Sequence, residues 1–149
     1  MKKVLCIGEA LIDMICTDRG TNLSKGQNFL KKAGGAPANV AAAIAALGGG
    51  VDMAAKVGKD PFGVHIIELL KEMGVDTQWV LQDEKHFTTF AFVSLMEDGE
   101  RDFYFNRGAD GQLSSKDLSG LNLNEYSIVH FGSATSFLPG PLQSAYIDL

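Results

Sequence analysis

The stretch Lys31 to Gly50, KKAGGAPANVAAAIAALGGG, constrains the fold more than any other. Its alanine run, from Pro37 to Leu47, has high helix propensity, Pro37 suits a first helical turn, and Gly48 supplies the residue that stops a helix. Directly before this helix stand Gly34 and Gly35. Such a pair either turns the chain into the helix or lets a ligand approach the main chain, beside helix N–H groups that lack intrahelical partners. Asn39 is a poor helix former among alanines. It either lies in solvent or aims an amide donor and acceptor at a bound hydroxyl compound.

The remaining punctuation describes an α/β chain. Val4 to Gly8 is a short apolar run suited to a strand covered on both faces, and Val51 to Val57 repeats the pattern. Between them, Leu11 to Cys16 reads as a strand, the turn formers Gly20, Asn22, Ser24 and Gly26 follow, and Phe29 begins a return segment. Asp60, Pro61 and Gly74 bracket a second helix, with Ile66, Leu69, Leu70 and Met73 at core-facing spacing. Asp98-Gly99 predicts a hairpin in which Phe90 and Phe92 meet Phe103 and Phe105. Ser127 to Gly132 is another buried-strand pattern, and Pro141 opens a last helix. Buried strands followed by helices imply a parallel layer, and the segments at about 11–33 and 87–108 form a small β appendage outside it.

Composition removes several functions. A net charge of −5 without a basic run argues against nucleic acid. No stretch approaches the roughly 20 apolar residues of a membrane span, and Glu9 and Asp13 interrupt the apolar start before a signal sequence forms. Cys6 and Cys16 lack redox or zinc spacing and read as buried thiols of a cytoplasmic protein. His65, His86 and His130 have no metal-like spacing, and no metal-ligating residue is assigned. Neither G-x-x-x-x-G-K-[ST] nor G-x-G-x-x-G occurs, which weakens a nicotinamide oxidoreductase reading.

Two charges invite explanation. Asp13 falls among Leu11, Ile12, Met14 and Ile15, where a carboxylate needs a partner. Either a salt bridge to Arg107 or the hydroxyls of a ligand would supply one. Arg107 follows Phe103 and Phe105 at strand spacing, so it either grips a polar substrate or ends the strand in solvent.

In this order and at these separations, GEALIDM, GGAPANVAAAIAALGG, AAKVGKDPFG, LLKEMGV and FYFNRGAD resemble the N-terminal part of the ribokinase-like (PfkB) carbohydrate kinases. The resemblance runs from Lys3 to the end, and the motif G-G-x-x-x-N-x-A-x-x-x-A-x-L-G is specific. GEALID with GGAPANVA is most similar to the fructokinase branch; 2-keto-3-deoxygluconate kinases share the aromatic-x-Arg segment, and ribokinase-type sugar kinases are a further alternative.

The resemblance implies a ribokinase-like α/β core with a small β-sheet lid, residues 1–149 forming the N-terminal half of one kinase domain with lid segments at about 11–33 and 87–108. It implies ATP and Mg2+, transfer of the γ-phosphoryl group to a sugar hydroxyl, and a homodimer through the lid. Asp13, Gly34, Gly35 and Asn39 fall where the family binds sugar hydroxyls, and Phe90, Phe105 and Arg107 on the closing lid. The family's catalytic base, an aspartate in a G-A-G-D-like motif, has no counterpart, and neither Asp60 nor Asp110 is taken as a substitute. The expectation is therefore a truncated chain, inactive alone, with a noncatalytic sugar-binding or dimerisation module as the reading from another class.

Overall fold

A computed structural model describes residues 3–132, 135 and 138–149. The chain forms two four-stranded sheets and three α-helices. The strands are β1 (Lys3–Ile7), β2 (Leu11–Cys16), β3 (Phe29–Gly34), β4 (Val51–Gly58), β5 (Asp76–Asp83), β6 (Phe90–Leu95), β7 (Arg101–Asn106) and β8 (Tyr126–Phe131). The helices are α1 (Ala36–Ala46), α2 (Pro61–Glu72) and α3 (Pro141–Asp148).

The first sheet is parallel, in the order β5-β4-β1-β8. Its two central strands carry near-continuous apolar runs because both of their faces are covered. Cys6, Met53, Ala55 and Val57 face Ala38, Ala41, Ile66 and Leu70 of α1 and α2. Leu5, Ile7 and Ala54 face the opposite way, onto Leu113, Leu118 and Leu142. Chain order reverses direction at β1, which lies between β4 and β8. In open α/β sheets, the crevice at the carboxyl ends of strands flanking such a reversal is where ligands bind.

The second sheet, ordered β3-β2-β6-β7, is the appendage read from the sequence, built from two separated segments. β2 pairs in parallel with β6 and antiparallel with β3, and β6 and β7 form the Asp98-Gly99 hairpin. The register corrects the expected aromatic pairing. Phe92 lies opposite Tyr104, Ala91 opposite Phe105 and Val93 opposite Phe103, so Phe103 and Phe105 occupy the other face from Phe90 and Phe92. A shift of one residue reverses every side chain of a strand.

Further departures concern α2 and β5. Met73 caps the C-terminus of α2 and is exposed, because the core-facing stripe ends at Leu70. β5, at one sheet edge, is a strand the sequence reading passes over. Its exposed Gln78 and polar termini break the apolar pattern that identifies its neighbours.

Candidate functional site

Beyond the carboxyl ends of β1 and β8, a cleft of about 540 Å³ opens between α1 and the second sheet. Its walls come from Glu9, Leu11, Asp13, Ala91, Phe103 and Phe105, together with Gly35, Ala36 and Asn39 at the start of α1. Thr135 and Leu138 complete the described rim. Asp13, Ala91 and Phe105 stand in one register row across β2, β6 and β7, which places an acid and an aromatic ring on one surface.

The double glycine has two separate jobs. Gly35 has φ +104, and a Cβ there would lie 2.4 Å from the Glu9 carbonyl oxygen, so the start of α1 can press against the connection between β1 and β2 only with glycine. Gly34 is outside the cleft lining; a Cβ on it would meet Asp13 Oδ2 at 2.0 Å. Its missing side chain leaves room for the Asp13 carboxylate to extend across the strand.

Asp13 is half-buried, and burial pushes its carboxyl above the usual range. It forms no salt bridge with Arg107, against that sequence reading, and no described side chain hydrogen-bonds to it. Asn39 sits one turn into α1, its backbone N–H donating to Gly35 O at 2.9 Å, with its amide facing the cleft.

Glu9 is 3% exposed. Its Oε2 accepts from Thr135 Oγ1 at 2.7 Å and its Oε1 from the Ala36 N–H at 3.4 Å, tying the helix start to the segment after β8. The sequence reading used Glu9 only as an interruption of the apolar start. The argument applied to Asp13, a carboxylate stranded in apolar surroundings, would have singled it out. Phe103 was seen as an aromatic neighbour and not as a wall; its ring stacks with Phe105, centroids 6.2 Å apart.

Phe90 and Arg107, expected at the site, lie outside the cleft lining. The Phe90 ring packs edge-on against Phe62, centroids 4.8 Å apart, on the sheet face away from the cleft. Arg107 follows the last residue of β7 and turns aside, its Nε 3.4 Å from Asp110 Oδ2. Asp110, in the short helical turn Ala109–Gln112, is buried; its Oδ1 accepts from Thr89 Oγ1, which also accepts from the Gly108 N–H at 2.8 Å. Burial pushes the Asp110 carboxyl up, opposed by Thr89 and Arg107. Among the described residues, no three His, Cys, Asp or Glu side chains gather as a metal ion would require.

An α/β sheet reversed at β1, with a largely apolar cleft between it and a separate aromatic sheet, defines a small-molecule site. The comparisons agree: the chain belongs to the pfkB family of carbohydrate kinases, whose model matches residues 1–149. It is 40% identical over 146 residues to fructokinase-1 of Oryza sativa subsp. japonica, covering 97% of this chain and 45% of that one. The fructokinase structure of Halothermothrix orenii superposes with a TM-score of 0.87 at 29% identity, covering 98% of this chain and 51% of that one. An uncharacterized sugar kinase of Pyrococcus horikoshii, solved with ATP, gives a TM-score of 0.87 at 34% identity, covering 97% and 47%. The chain thus spans about half the length of these relatives.

Proposed function

We propose that this chain forms the sugar-binding part of a kinase that moves the γ-phosphoryl group of ATP to a hydroxyl of a small sugar, fructose foremost. The observation that carries the reading is the pair Asp13 and Asn39. Both face one cleft at the strand-order reversal, and neither side chain is engaged by a described neighbour. A carboxylate accepts from sugar hydroxyls, an amide both donates and accepts, and the stacked Phe103 and Phe105 offer an apolar surface to sugar C–H groups. Gly35 and Ala36 bring main chain to the same place.

The second sheet, comprising the segments at about 11–33 and 87–108, acts as the lid. Its closure over the sugar would exclude water that otherwise hydrolyses ATP, leaving catalysis to positioning and charge stabilisation. ATP as donor is supported by the P. horikoshii relative. Mg2+ enters through the family resemblance alone, and no described residue is assigned to it. No residue of this chain is proposed as the catalytic base, and the 149 residues alone are expected to be inactive. The cytoplasm is the proposed compartment; no described helix is long and apolar enough to cross a membrane.

The test is sugar-dependent ADP formation by the complete protein, compared with its Asp13→Ala and Asn39→Ala forms. Losing a hydroxyl partner should reduce kcat/KM by one to several orders of magnitude, about 1.5–4 kcal/mol, with the fold retained. Wild-type kinetics in both variants would end the site assignment, and sugar binding without ADP formation would favour a noncatalytic module.

A further inference from the structure

The residues AAKVGKDPFG, at positions 54–63, lie outside the cleft lining, yet their glycines and one acid converge on a single side chain. That side chain is Thr88, fully buried just before β6. Thr88 Oγ1 accepts from the Gly58 N–H at 3.0 Å and donates to Asp60 Oδ1 at 2.7 Å, and the Thr88 N–H donates to Asp60 Oδ2 at 2.7 Å. A Cβ on Gly58 would lie 2.5 Å from Thr88 N, and one on Gly63 would lie 3.1 Å from Thr88 Oγ1. The turn from β4 into α2 is therefore a socket shaped by two missing side chains, and the threonine fills it.

The socket stands at the root of the second sheet. The residue after Thr88, Thr89, accepts through its carbonyl from the Ile12 N–H at 3.0 Å, so β2 is held at the same level. One position further on, Phe90 packs edge-on against Phe62 in the first turn of α2, and both join the core built on Ile12, Met53 and Ile66. The root is thus fixed to α2 by a polar pin and an apolar bearing. On its other face the same sheet meets α1 across the open cleft of about 540 Å³, so the space into which it can turn lies on the cleft side.

We propose that Thr88, seated between Gly58, Asp60 and Gly63, is the pivot on which the second sheet turns toward α1, a role that rests on the kinase reading above. Thr88 is a positioning residue: it stands outside the cleft lining and acts through the sheet that carries Asp13, Phe103 and Phe105. A sheet pinned at its root samples fewer open orientations than one free to rock, and loses less freedom on closing. The pin therefore lowers the sugar concentration needed for closure and leaves the closed site itself unchanged.

The test measures kcat and KM separately in the complete protein with saturating ATP, for fructose or for whichever sugar the wild type phosphorylates fastest. Thr88→Val keeps the shape and removes the hydroxyl; Thr88→Ser keeps the hydroxyl. Thr88→Val should raise the sugar KM about five- to tenfold, the size of one buried hydrogen bond, with kcat within about twofold of wild type because saturating sugar restores closure. Thr88→Ser should bring KM back to within about twofold of wild type. A Thr88→Val protein with a lowered Tm and a wild-type KM makes the socket merely structural and overturns the proposal. So does a loss confined to kcat, or a Thr88→Ser as impaired as Thr88→Val.

If Thr88→Val does not fold, Asp60→Asn decides. Its amide oxygen still caps α2, but its NH2 group replaces the oxygen that accepts from the Thr88 N–H. The sugar KM should rise at least about threefold with kcat kept. A wild-type KM in a folded Asp60→Asn overturns the proposal. Turnover of no sugar by the wild type would overturn the kinase reading itself, and this inference with it.

Discussion

Asp13 is where the requirements of binding and of folding diverge. Its carboxyl is pushed above the usual range by burial, and no described cation or donor offsets that cost. The sign follows directly: the folded state disfavours the charged form, so the penalty is full above the raised value. It is absent once pH is below the ordinary carboxyl range, where both folded and unfolded chains are protonated. We therefore expect Asp13→Asn to raise Tm at pH 7, with the difference from wild type vanishing toward pH 3, while sugar-dependent turnover is lost. Thermal melts across pH check this. A lower Tm at pH 7 would mean that the carboxylate has a stabilising partner and is not held in reserve for a ligand. A site that stabilises the free protein when neutralised is paying for function with stability.

At the scale of elements, Asp60 does the opposite. It caps α2, its Oδ1 accepting from the Phe62 and Gly63 N–H groups at 3.0 and 2.9 Å. It also accepts from the Thr88 N–H and hydroxyl, both at 2.7 Å, at the approach to β6. Burial pushes its carboxyl up, but these bonds outweigh burial and hold it below 3.8. Its contribution is present above that ordinary value and lost as pH falls through the depressed one. Asp60→Ala should cost about 2–3 kcal/mol at pH 7, read by denaturant unfolding, a helix cap plus the bonds to the next segment. A loss no larger than an isolated cap, about 1 kcal/mol, would show that the link to Thr88 adds nothing.

This cap, like Pro61, Gly74 and the Asp98-Gly99 turn, was legible in the sequence because its signal is local: a few adjacent residues dictate the backbone. The same holds for the assembly of the appendage from two segments, whose β pattern and turns are written in each. What the sequence could not show depended on register and on distant partners. Phe90 and Phe105 share an alternating pattern, and only the pairing of β6 with β7 reveals that they face opposite ways. Arg107 has the spacing of a cleft residue, yet the chain leaves the strand at Asn106 and a buried Asp110 draws it aside. Glu9 acquires its place in the cleft because β1 lies at the reversal of strand order, a property of the whole sheet.

The last consequence concerns the molecule as an assembly. The second sheet has edge strands β3 and β7 on its two sides, and its cleft-bearing face continues past the cleft. There Ile15, Leu30 and Leu95 point the same way by register as the cleft-wall residue Phe103, and the four are 39%, 48%, 59% and 57% exposed. Four large apolar residues on one face of a four-stranded sheet form a continuous patch, unlike the scattered single exposures common on monomers. We expect two copies to bury this face against each other about a two-fold axis, as the family resemblance implies for the lid. Leu30→Lys tests it most cleanly, because Leu30 lies on an edge strand outside the cleft lining and a lysine there is accommodated by the monomer. In the complete protein, sedimentation equilibrium at micromolar concentration should show a dimer for wild type and a shift toward monomer for Leu30→Lys, with Tm little changed at dilutions where both are monomeric. A monomeric wild type would leave this face without a partner copy. A dimer indifferent to Leu30→Lys would place the interface elsewhere on the molecule.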